Sequence, residues 1–118
     1  ATIVNLQTRG GLQPGERLVL VGEDPRLGAW RPEAGVPLRS LGGNRWWTSL
    51  TLSQGRHYRM RLVTVRESGG ISRSAAAITL SLAPEPAGVL GQKSINLAMP
   101  AAAADIPAPA ARQAPAPP

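Results

Sequence analysis

Cysteine and phenylalanine are both missing from these 118 residues. The first absence excludes disulfides and thiolate metal sites, and it fits a reducing compartment without requiring one. The second leaves a core to be built from Leu, Val, Ile and three tryptophans. The single histidine, His57, rules out a histidine pair for a metal. It sits at the start of an apolar stretch with no nucleophile or carboxylate close in sequence, so it reads as a surface residue. No run approaches the roughly 18 apolar residues of a membrane span, because proline interrupts the alanine-rich end. No stretch carries a capped 3.6-residue pattern, so helix is not the organising element. Nor is there a Gly-x-Ser-x-Gly elbow or a glycine loop followed by Lys-Ser/Thr. Glu23, Asp24 and Glu33 flank Trp30, a thin basis for glycoside hydrolysis, which also needs a deep cleft. The expectation is a non-enzymatic chain with no cofactor and no metal.

Acid is scarce. Seven carboxylates face thirteen basic residues, twelve of them arginine, for a net charge of +6. Arg56, Arg59, Arg61, Arg66 and Arg73 are opposed only by Glu67 within one short stretch. Guanidinium forks match phosphates and carboxylates, which makes an anionic partner, nucleic acid included, one expectation. The bland alternative is a solvated strand face in an Ala-, Gly- and Pro-rich composition.

What is present alternates with the period of strands. Residues 2–8 place Val4 and Leu6 on one face, Asn5 and Gln7 on the other. Residues 17–21 are apolar on both faces, as a central strand is. Gly42-Gly43-Asn44 signals a turn. Residues 46–52 then put Trp46, Leu50 and Leu52 in one phase and Trp47, Ser49 and Thr51 in the other. In residues 57–66, Tyr58, Met60 and Leu62 oppose Arg59 and Arg61. Residues 77–82 form the last clear strand. Such spacing predicts an all-β, antiparallel β-sandwich with Leu18, Leu20, Leu50, Leu52, Met60, Leu62 and Leu80 inside.

Proline and alanine dominate the end of the chain, so the folding unit is expected over residues 1–82 and an extended tail over residues 83–118. In that tail Ile95, Leu97 and Met99 alternate, as in a segment laid into a groove or added to a sheet edge. The chain starts at Ala1 without a signal-like segment, which fits a processed or shortened form.

Val21-Gly22, Leu27-Gly28-Ala29-Trp30, the strand from Trp46 to Gly55 and Tyr58-Arg59-Met60-Arg61-Leu62 follow one another in a recognisable order. This arrangement resembles the starch-binding domain, carbohydrate-binding module family 20, over roughly residues 15–66. The resemblance implies an immunoglobulin-like sandwich that stacks glucose units on tryptophans. In the family's first sugar site Trp30 matches the leading tryptophan and Arg61 the lysine. The second tryptophan has no counterpart in Ile71-Ser72-Arg73-Ser74, and the family's following Asn-Arg becomes Ala76-Ala77. In the second site, Pro14 and the loop from Leu41 to Arg45 lack the family's tyrosines, and only Trp46 remains.

Two roles follow. Trp30, Arg61, Trp46 and Trp47 are the candidate carbohydrate contacts of an α-glucan module, with Trp46 also suited to the core. Alternatively the chain is an accessory subunit of a multi-subunit assembly. It would then dock through Arg56, Arg59, Arg66 and Arg73 and through Ile95, Leu97 and Met99, with only weak glucan binding left. The family and composition suit an organelle, plastid or mitochondrion, of a photosynthetic eukaryote. The second role is the favoured expectation from sequence.

Overall fold

In the computed structural model, residues 1–84 and 90–103 are described. Alternation of apolar and polar residues has its expected result: two β-sheets packed face to face, with no α-helix among the described residues. The first sheet runs β4 (Arg39–Gly42), β5 (Arg45–Leu52), β1 (Thr2–Arg9), β9 (Gly91–Asn96). The second runs β10 (Ala102–Ala103), β7 (Ile71–Ser74), β6 (His57–Val65), β2 (Arg17–Gly22), β3 (Val36–Pro37). β8 (Ile78–Ser81) continues along the β6 edge that β7 begins. The all-β sandwich expected from the sequence is the observed fold.

Between the sheets lie Val4, Leu6, Leu18, Leu20, Leu52, Tyr58, Met60, Leu62 and Leu80, all buried. Leu50, expected inside, is half-buried and packs against this cluster. Leucine supplies most of the volume that phenylalanine would have filled. The doubly apolar β2 has a separate explanation on each face. Leu18 and Leu20 point into the main core, while Val19 and Val21 join Val63 and Val65 in a second buried cluster. Trp30 and Ile71 pack against that second cluster on the outer side of the sheet.

The unit does not stop at residue 82. β9 pairs in parallel with β1 from Thr2↔Gly91 to Gln7↔Asn96, and β10 returns to the edge of β7. The segment over residues 90–103 therefore straps both sheets. Ile95, Leu97 and Met99, expected to contact a partner, pack against this chain's own core. The cause is an open edge: β1 would otherwise leave a row of unpaired backbone groups beside Val4 and Leu6. The Ala/Pro run expected to extend the tail lies, beyond residue 103, outside the described residues.

Candidate functional site: a tryptophan and an arginine on the outer sheet face

The loop after β2 is shaped to present Trp30. Asp24 caps a short 3-10 turn (Pro25–Leu27) by accepting from the Arg26 amide at 2.8 Å, and Leu27 is buried as its anchor. The chain then passes through three consecutive left-handed residues, Gly28 (φ 86°), Ala29 (φ 50°) and Trp30 (φ 67°). At Gly28 a Cβ would meet the backbone of Ala34 and Arg31 at 2.7 Å, so only glycine fits. The Trp30 amide donates to the Gly22 carbonyl at 2.8 Å. A bulky residue in this conformation costs about 1–2 kcal/mol, which the surrounding hydrogen bonds must over-determine.

Trp30 is half-buried, resting on the valine cluster with the rest of its surface open. Arg61 lies on the same outer face, opposite Val21 in the ladder, with its guanidinium carbon 5.8 Å from the Trp30 ring centre. Its Nε is buried without a hydrogen-bond partner. The arrangement provides an apolar ring with a fixed cation beside it, suited to the C–H face and hydroxyls of a sugar.

The other sequence candidates scatter. Trp46 turns inward, half-buried against the main core, and its Nε1 donates to the Gly10 carbonyl at 2.9 Å. Trp47 is half-buried on the opposite side of that sheet, level with Gln7 and Arg39. Neither joins Trp30. Arg59 is exposed, its carbonyl accepting from the Glu23 amide. Arg56 is exposed with its guanidinium 5.9 Å over the Tyr58 ring, and exposed Arg66 donates to the Ile71 carbonyl at 3.3 Å.

Arg73 is not available to a partner in the way its sequence neighbours are. It pairs with Glu16 at 2.7 Å, and the Glu16 side chain is only 3 % exposed. Ser72 donates to the same carboxylate and lies 2.7 Å from Thr64 Oγ1. Burial pushes the Glu16 carboxyl up. Hydrogen bonds from Ser72, the Gln13 amide and Arg73, with the Arg73 charge, outweigh it and hold the pKa at about 2. This network closes the sandwich end, and sequence alone gave no signal for it.

The chain belongs to the starch binding domain family, whose model matches residues 1–78. Among solved structures it is similar to the family 20 carbohydrate-binding module of the maltotetraose-forming amylase from Pseudomonas saccharophila STB07. That match has 20 % identity and a TM-score of 0.59, covering 79 % of this chain and 99 % of that one. It is also similar to the glycoside hydrolase family 15 glucoamylase from Hypocrea jecorina (18 % identity, TM-score 0.64, 79 % of this chain). A third likeness is the gamma-CGTase from an alkalophilic Bacillus clarkii (17 % identity, TM-score 0.68, 81 % of this chain). Against those two enzymes it spans only 17 % and 14 % of their lengths. At these identities the likeness shows the fold. No curated protein sequence matches the chain significantly.

Proposed function

We propose that this chain is a non-catalytic module that binds starch or a related α-glucan weakly, by one stacking ring instead of two. The observation that carries this is the Trp30–Arg61 pair, presented by a strained loop on the outer sheet face. At the place of the family's second ring, β7 offers no aromatic, and its Arg73 is tied to Glu16. A lost ring removes on the order of 1 kcal/mol of stacking. Maltoheptaose is therefore expected to bind with a Kd of about 1 mM or weaker, near −4 kcal/mol. Titration calorimetry should show this binding, its loss in Trp30→Ala and its retention in Trp47→Ala. No detectable binding at roughly ten times that concentration would remove the glucan reading. A role as accessory subunit keeps some support from exposed Arg56, Arg59 and Arg66. The apolar anchor has less support, since Leu97 is buried in this domain's core and Ile95 and Met99 pack half-buried against it.

A further inference from the structure

Trp47 stands on the outer face of the first sheet, away from the core that Trp46 packs against. Its direct cross-strand neighbours are Arg39 on β4 and Gln7 on β1. Arg45 precedes it by two positions on the same face, and Arg9 is directly opposite Arg45. Direct neighbours in such a ladder lie about 5 Å apart at Cβ and diagonal ones about 7–8 Å, so three arginines ring one indole. All three are exposed, and Trp47 is half-buried. None of the four strands of this sheet carries a carboxylate. Among the described residues the ion pairs belong to Arg26 and Arg73, and the guanidinium–ring contacts to Arg56 and Arg61. The side chains of Arg9, Arg39, Arg45 and Trp47 hydrogen-bond to none of those residues, whereas the Trp46 indole is satisfied by the Gly10 carbonyl. Arg9 opposite Arg45 also costs the ladder stability, because like charges face each other there. No contact among the described residues offsets that cost.

We propose that this face docks an acidic protein segment, which seats an apolar side chain on Trp47 and its carboxylates on the three arginines. Charge is the first reason. An uncompensated arginine cluster calls for an anionic partner, and planar guanidinium forks pair with carboxylates through two parallel hydrogen bonds. The second reason is residue type and layout. Tryptophan and arginine dominate the energetics of protein interfaces, in which a desolvated aromatic centre is bordered by a polar margin. The charge is also confined to one end of the sheet. The next outward row along the strands is Asn5, Ser49 and Ser94, all neutral, whereas a nucleic-acid backbone draws on a longer basic track. Trp30 and Arg61 belong to the other sheet, so this docking face stands independently of the glucan reading.

The three tryptophans sit in three different surroundings, so their indole N–H resonances read the contact separately. Isotope-labelled protein is titrated with the peptide Glu-Glu-Leu-Glu-Glu, its counterpart Gln-Gln-Leu-Gln-Gln, a single-stranded oligonucleotide and maltoheptaose. The acidic peptide should shift the Trp47 signal and leave those of Trp30 and Trp46 in place, and added salt should weaken the effect. The double variant Arg39→Gln, Arg45→Gln should bind that peptide at least about tenfold more weakly, the scale of losing a charge-assisted hydrogen bond. Without peptide, Arg9→Gln should melt at an equal or higher temperature, because an opposed like charge is gone. A clear fall in melting temperature would mean that the arginine serves the fold and would overturn the assignment. So would an unmoved Trp47 signal, or equal shifts with the glutamine peptide. Tighter oligonucleotide binding at Trp47, lost in the double variant, would give the face to nucleic acid instead. A Trp47 shift with maltoheptaose alone would give it to glycan.

Discussion

Leu97 gives the sharpest test of whether the strap belongs to the fold. Its amide donates to the Gln7 carbonyl at 2.9 Å, and its carbonyl accepts from Thr8 Oγ1 at 2.8 Å. The backbone there is pinned to β1 whatever the side chain. The side chain itself is 9 % exposed and joins the main core. Leu97→Ala keeps both hydrogen bonds and removes three carbons, about 2.4 kcal/mol at about 0.8 kcal/mol each. A residual cavity raises such costs into a range of about 2–5 kcal/mol. Here Met99 and Trp46 border the same end of the sandwich and can settle inward, so about 2–3 kcal/mol is expected. A domain of this size holds about 5 kcal/mol in all, so the loss is large. With a urea slope of about 1 kcal/mol/M the midpoint should fall by about 2–3 M. Urea titration followed by tryptophan fluorescence reads this directly. Leu90→Ala is the control: Leu90 is 60 % exposed, and its loss should stay within about 0.5 kcal/mol. If Leu97→Ala were equally mild with an unchanged slope, residues 90–103 would not be packed as described. Ending the chain after Pro84 is the harsher version, expected to strip the β1 edge and prevent a stable fold.

Two further perturbations probe other parts of the molecule. Glu16, with its pKa lowered from 4.5 to about 2, contributes stability that is fully present above pH 4.5 and is lost as pH falls through 2. The loss approaches on the order of 3 kcal/mol, and Glu16→Gln should flatten melting temperature against pH across that window. Gly28→Ala places a Cβ against backbone at 2.7 Å in a left-handed position. It should cost about 2 kcal/mol or more and abolish maltoheptaose binding in calorimetry while the sandwich stays folded by circular dichroism.

The strands that could be read from sequence are those with a continuous buried face. β1, β5, β6 and β8 announce themselves by alternation and β2 by being apolar on both faces, and Trp46 and Trp47 fall on the faces their phase predicts. β9 does not, because Gly-Gln-Lys-Ser-Ile-Asn is mostly exposed edge. Its pairing with β1 is also parallel and spans nearly the whole chain, so no hairpin turn marks it. That is why apolar residues serving the protein's own core resembled an anchor for another molecule. Arg73 was equally opaque: its partner Glu16 is 57 residues away, and nothing local separates it from Arg59 or Arg66. The Trp30 loop was legible through its family pattern, whereas its three left-handed residues were not.

The Trp30 geometry sets how strongly one ring can hold a sugar. One side of the indole is committed to Val19, Val21, Val63 and Val65, so a glucose unit has only the outward surface. Arg61 already stands over the ring at 5.8 Å, a contact worth about 0.5–1 kcal/mol when exposed. A stacking sugar must therefore either slide beside the guanidinium, gaining hydrogen bonds from it, or push it aside and forfeit that attraction. The first course keeps both contributions, and the buried Nε limits how far the arginine can swing. On the proposed glucan reading, Arg61 would orient a bound sugar more than add affinity, in a weak site whose direction of approach the protein fixes. Weak, oriented attachment suits a module on a polymeric substrate. A repeated glucan offers many equivalent places to rebind, so occupancy along the polymer rises with the number of units although each contact stays weak.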